Sequence, residues 1–185
     1  ALFLCCLASE LILLNSRAKI SVASDAVIGA RTILISNPAP GGGSATLPHV
    51  LNVENGAPSV GSVSPSFAPR GESTALTISG DNFYPGITSL DMGADIQIDS
   101  VRIESRSRLF AVVTPRSDAA TELHNVLVTN PPPGGGIAVL KGGFAVINPE
   151  PTLESVRPDR GVRGRTMLVV ISGSRFLDRA TSVDF

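Results

Sequence analysis

The sequence predicts an all-β chain of tandem two-layer β-sandwiches, one complete and two partial, with a repeat period of 93 residues. Three observations carry that expectation. The first is self-similarity. Asn37-Pro38-Ala39-Pro40-Gly41-Gly42-Gly43 returns as Asn130-Pro131-Pro132-Pro133-Gly134-Gly135-Gly136, a displacement of 93 positions (37 to 130). The same displacement carries Pro58 onto Pro151, Ile78-Ser79-Gly80 onto Ile171-Ser172-Gly173, Phe83 onto Phe176 and Thr88-Ser89 onto Thr181-Ser182, without a gap. Solenoid repeats run to about 20–50 residues, whereas one whole sandwich takes about 100. The second observation is composition: 18 Gly and 14 Pro, 4% aromatic residues and no Trp, which suits short strands joined by turns. The third is periodicity, which alternates with period two and nowhere supports a convincing amphipathic helix.

The complete copy begins with Pro58 to Pro65, a short strand bounded by prolines and therefore suited to an edge or first position. Ser66 to Gly71 reads as a turn, with Arg70-Gly71 recurring as Arg163-Gly164. Glu72 to Gly80 alternates, which puts Leu76 and Ile78 on the inward face and Thr77 and Ser79 on the other; Val169 and Ile171 hold the inward positions in the next copy. Gly80 reads as a tight bend, Asn82 as a residue tolerant of unusual backbone angles, and Phe83 as a large core plug. Thr88 to Met92 is a strand with Leu90 and Met92 inward. Ile96, Ile98, Val101 and Ile103 mark strand segments interrupted at Asp99-Ser100, and Leu109 to Val113 continues the sandwich. Ser117 to Ala119 matches Ser24 to Ala26 at a loop. Glu122 to Thr129 alternates with Val126 and Val128 inward, matching Ile33 and Ile35. Asn130 to Gly136 is a turn, because proline cannot donate to a ladder and glycine supplies positive φ. A final strand lies near Gly143 to Ile147. About seven short strands with turns every 8–12 residues describe an immunoglobulin-like sandwich.

These residues also carry a resemblance. Pro58, Ser62, Val63 and Pro65, then Ile78-Ser79-Gly80, then Phe83, then Thr88-Ser89-Leu90-Asp91 resemble the IPT/TIG domain, an immunoglobulin-like fold shared by plexins, some transcription factors and many bacterial surface proteins. The closing Asn-Pro-x-Pro-Gly-Gly-Gly turn is similar to that of tandem copies in large secreted bacterial proteins. The resemblance covers nearly the whole chain outside 1–14. It implies a bacterial protein that is secreted or held at the cell surface. It is specific for fold and weak for function, since such domains bind DNA, bind receptors, attach to carbohydrate or space other domains.

Bulk properties exclude several classes. Net charge is −1 with acids and bases interspersed, so no clustered basic face points to nucleic acid. The only cysteines, Cys5 and Cys6, are adjacent and would form a strained bond on a strand; they read as small hydrophobes, with a free thiol for an intermolecular bond as the lesser reading. Segment 1–14 is very apolar, yet Glu10 and its shortness argue against a membrane span. It reads as strands, with a targeting remnant as the competing reading. His49 and His124 are the only histidines and lack metal-ligand spacing. Asp91, Asp95 and Asp99 lack the spacing of a calcium loop and read as a solvated face. No nucleophile elbow, phosphate loop or dinucleotide fingerprint occurs, and the Gly-Gly-Gly runs lack the helix and Lys that phosphate binding needs. No catalytic, cofactor-binding or metal residues are assigned, no cofactor is expected, and the chain reads as a non-enzyme.

The expected organisation is 1–55 as the C-terminal part of one domain, 58–148 as a complete domain and 151–185 as the N-terminal part of a third. The lone part-domain at 151–185 would leave strand edges and an apolar face open. Completion between neighbouring copies, 151–185 of one with 1–53 of the next, is a head-to-tail contact of the kind that builds filaments; an arbitrary window on a longer polypeptide is the bland alternative. The functional expectation is a stalk, spacer or filament of the cell exterior. Its partners are other copies of the chain, with surface glycans or proteins through the loops, and no nucleic acid or membrane span. A carbohydrate-binding accessory module of a secreted enzyme is the first alternative, weakened by a single Tyr and the absence of Trp. A DNA-binding or regulatory module is the second.

Overall fold

The computed structural model describes residues 17–177 and 181–184, and the readings of 1–14 and of Cys5 and Cys6 fall outside them. Among the described residues every regular element is a strand. In chain order these are β1 (Gly29–Asn37), β2 (Gly43–Val53), β3 (Ser59–Ser64), β4 (Phe67–Pro69), β5 (Thr74–Asp81), β6 (Ser89–Asp91), β7 (Ile96–Ser105), β8 (Arg108–Pro115), β9 (Leu123–Asn130), β10 (Gly136–Ile147), β11 (Thr152–Arg157) and β12 (Val170–Ser174). The chain divides into two compact units, one of Ala1–Gly56 with Pro131–Gly136 and one of Ala57–Asn130 with Ile137–Phe185. No helix of the described residues is long and apolar enough to cross a membrane.

Two four-stranded sheets, ordered β3-β5-β8-β7 and β4-β10-β9-β6, make a sandwich. The alternation in the sequence decides what each strand buries. Along β8, Leu109, Ala111, Val113 and Pro115 are buried while the residues between them are not. Leu76 and Ile78 of β5 pair with Ala111 and Leu109 of β8, respectively, and their side chains join the same core. Val126 and Val128 of β9 and Phe144 and Val146 of β10 supply the other layer. Phe83 and Phe144 are the largest fully buried side chains. Burying an aliphatic or phenyl side chain of this size stabilises by roughly 1.5–3 kcal/mol, so this cluster is the main source of stability. The strand at Ser59–Ser64 lies at a sheet edge, as its flanking prolines require. The opposite edge, β7, carries Asp99, Arg102 and Glu104, charges that discourage pairing with a stray strand.

Three details differ from the sequence reading. Ser66 to Gly71 is not only a turn: Phe67–Pro69 forms β4, paired parallel to Ala145–Ile147 of β10, with Ala68 fully buried. The segments around Asp99 are one strand, β7, which absorbs the irregularity as a bulge between Ile98 and Ser100 rather than breaking there. Gly80 is no bend. It lies inside β5, where a Cβ would sit 1.9 Å from the Ser59 carbonyl oxygen and 2.6 Å from Phe83 Cζ. Glycine is required there by close approach of the edge strand and the core plug. Asn82 does adopt a left-handed conformation, φ 59°.

Outside the sandwich, β1 pairs with β2 and β11 with β12, each as an antiparallel pair. The β11–β12 register is that of β3–β5 moved by 93 positions: Ser59↔Asp81, Val63↔Ile78 and Ser64↔Thr77 become Thr152↔Ser174, Val156↔Ile171 and Arg157↔Val170. The bulge moves with it, from Val60/Ser62 to Leu153/Ser155. Gly173 meets Thr152 and Phe176 as Gly80 meets Ser59 and Phe83. His49 of β2 has φ 56°, and the position 93 residues on is Gly142 with φ 58°. The inward positions of these hairpins are less covered than their sandwich counterparts. Ile33 and Ile171 are half-buried and Ile35 is 64% exposed, whereas Val128 is fully buried.

Candidate functional site

Two polar constellations stand out, one in each compact unit. In the unit of Ala1–Gly56 with Pro131–Gly136, the proline-glycine turn closes on Asn55. Three consecutive prolines have no N–H, so this stretch offers only carbonyl acceptors until the glycines restore donors. Asn55 complements that order. Its Nδ2 donates to the Pro131 carbonyl at 2.8 Å, its backbone N–H donates to the Pro133 carbonyl at 2.9 Å, and its carbonyl accepts from the Gly135 N–H at 2.8 Å. Asn55 and Gly134 form a parallel bridge, and Asn55 is 8% exposed. Gly134 has φ 71°, and a Cβ there would lie 2.4 Å from the Asn55 oxygen and 2.8 Å from Glu54 Cβ. A side chain at 134 is therefore excluded by both backbone conformation and contact. Sequence reasoning identified the turn but missed Asn55; its one signal is recurrence as Asn148, 93 positions on.

In the other unit, Asn130 is buried at the end of β9. Its Nδ2 donates to the Asn82 carbonyl at 2.8 Å, and its Oδ1 accepts from Thr88 Oγ1 at 2.7 Å. Thr88 Oγ1 in turn accepts from the Tyr84 N–H. Asn82 Nδ2 donates to the Ala57 carbonyl at 2.7 Å, and Arg106 Nη2 donates to Asn82 Oδ1 at 2.7 Å. Arg106 also lies over the Tyr84 ring, 5.3 Å from its centroid. The network holds the Asp81–Thr88 connection over the sandwich and lets Phe83 enter the core. Leu177 and Thr181 reproduce one part of it: the Leu177 N–H donates to Thr181 Oγ1 at 2.7 Å and the Thr181 N–H to the Leu177 carbonyl at 3.0 Å, as Tyr84 and Thr88 do. Buried amides satisfied in this way order a loop, and nothing in the arrangement supplies a nucleophile with a base beside it.

The other singled-out residues sit apart. His49 is exposed on β2, and His124 is half-buried on β9 with its Nε2 unpartnered. Asp91 accepts from the Gly93 N–H, and Asp99 accepts from Gln97 Nε2 and Thr114 Oγ1. Among the described residues no group of three or more His, Cys, Asp or Glu is placed to hold a metal ion.

Two antiparallel-rich sheets in these strand orders, packed around a core that includes Phe83 and Phe144 and closed by an amide-ordered loop, define an immunoglobulin-like β-sandwich. Residues 58–144, just under half of the chain, match the family model of the IPT/TIG domain. IPT/TIG domains are non-catalytic immunoglobulin-like modules with structural, adhesive or accessory roles. No curated protein matches the chain.

Proposed function

We propose that this chain is a run of tandem IPT/TIG domains serving as a non-enzymatic spacer or filament of a bacterial cell exterior, in which the partial domains 1–55 and 151–185 are completed head-to-tail between neighbouring copies. The observation that carries the reading is the transfer of the β3–β5 register, bulge included, onto β11–β12. In the sandwich, β5 packs across the core from β9, with Ile78 and Val128 in one cluster. Their counterparts, Ile171 on β12 and Ile35 on β1, are both incompletely covered. Bringing those two hairpins together from two copies recreates the layer contact of the complete domain, and burying apolar area of this kind drives association. The extracellular setting follows the known occurrence of such domains.

The test is sedimentation and negative-stain electron microscopy of the purified chain. Wild-type protein is expected to form concentration-dependent polymers. Ile35→Asp and Ile171→Asp, each placing a charge in the contact, are expected to leave the sandwich folded and abolish the polymers. Discrete particles at all concentrations would reject the assembly. Retention of the chain on a glycan array would favour the accessory carbohydrate-binding role instead.

A further inference from the structure

We propose that the turn Asn37 to Gly43 is an acceptor for Asn148 of a second copy of the chain, an inference that rests on the head-to-tail reading above. Asn55 in the Pro131–Gly136 turn shows the filled state. The acceptors are the carbonyls of Pro131 and Pro133 and the donor is the N–H of Gly135. Moved back by 93 positions, the same groups are the carbonyls of Pro38 and Pro40 and the N–H of Gly42. Moved forward by 93, Asn55 becomes Asn148, which follows β10 just as Asn55 follows β2. Asn148 is exposed, as is the whole turn from Asn37 to Gly43. Donor and acceptor halves of the clip are therefore both present and exposed.

The two turns differ in the way occupancy would require. Gly134 is crowded by Asn55 and Glu54, whereas Gly41, with φ 77°, has nothing within 4 Å. Gly135 adopts φ 67°. Gly42 does not share that conformation: a Cβ there would meet the Pro38 carbonyl oxygen at 2.2 Å and the Asn37 carbonyl oxygen at 2.3 Å. The turn thus folds against the carbonyl that an incoming amide would use. Three glycines give it the freedom to open. The chemistry selects the occupant: the site asks for a side-chain N–H donor, a backbone N–H and a backbone carbonyl on one residue. An Asn on an extended segment supplies all three, while Asp would set a carboxylate against the Pro38 carbonyl, the counterpart of the Pro131 carbonyl that Asn55 Nδ2 meets.

The experiment is equilibrium sedimentation of the 185-residue chain carrying Asn148→Ala, Asn148→Asp or Gly41→Ala beside wild type, with thermal melting as the check on the sandwich. Losing one amide hydrogen bond at a covered site predicts self-association weakened about tenfold in Asn148→Ala and more in Asn148→Asp. Gly41→Ala should weaken it to a similar degree, because its Cβ falls where the Asn148 carbonyl must lie. The double variant Gly41→Ala with Asn148→Ala should be no worse than the weaker single, as expected of residues that act on one contact. Association unchanged in all of these, while Ile171→Asp still abolishes it, overturns the clip and leaves the head-to-tail contact standing. A wild-type chain that never associates overturns both.

Discussion

Gly80 shows how one atom can decide a local structure. Its missing Cβ lets the Ser59 carbonyl and the Phe83 ring approach from two sides. Gly80→Ala must push apart an edge strand and a core aromatic, so it should destabilise the sandwich by about 3 kcal/mol, measurable by urea unfolding. An ordinary exposed strand glycine would gain slightly from the same change, and a neutral result would contradict the contact. At the surface, Arg116 Nε donates to Asp118 Oδ1 at 3.0 Å. That hydrogen bond, with a backbone hydrogen bond and the guanidinium charge, holds the Asp118 carboxyl below its ordinary pKa. A depressed carboxylate favours the folded state at neutral pH, and that small contribution disappears as pH falls through the folded-state value. NMR titration should place the Asp118 midpoint below that of an unpaired aspartate, and Arg116→Ala should bring it back up. Glycine at 80 was visible in the sequence but its reason was not: a bend and a close approach look identical until the neighbouring strand is placed.

Among the elements, the alternating strands and the short β6 were legible, and β4 was not. Leu76, Ile78, Val126 and Val128 alternate with polar neighbours, and that pattern alone assigns their faces. β4 has three residues, the last of them Pro69, and its only pairing is with β10, far along the chain. No local signal announces such a partner; Ala68 acquires its burial entirely from tertiary contact. Ala68→Leu is therefore predicted to cost about 1–3 kcal/mol through overpacking, read as a lower melting temperature, although a surface turn would accept the change freely. The polar elements were legible in the same uneven way. Proline and glycine identify the 130–136 turn, but that Asn55 fills it depends on hydrogen bonds between positions 76 residues apart. A bulge at Asp99 hid the continuity of β7, since the alternation changes phase there.

For the whole molecule, the displacement of 93 positions between matching stretches is legible at once, because it needs no structure to be noticed. It leads to a prediction about where stability resides. Phe144 is buried on all sides in the sandwich, so Phe144→Ala should cost about 3–5 kcal/mol and be read as a large fall in melting temperature. Leu47→Ala on β2, where the side chain is 61% exposed, should change the melting of the isolated chain by less than about 0.5 kcal/mol. Equal effects would mean that the hairpin is covered in solution. The parallel union of β4 and β10 has a separate consequence. Phe67, Ala68 and Pro69 run alongside Ala145, Val146 and Ile147, clasped further by the Ala145 N–H on the Ser66 carbonyl and the Arg70 N–H on the Ile147 carbonyl. One strand lies near the start of the sandwich and the other is its last strand. Tension applied between those two points slides the strands lengthwise past each other and strains their hydrogen bonds together, whereas a terminal hairpin would unzip them one after another. Such a domain gives way abruptly at high load, a property suited to a tether held taut.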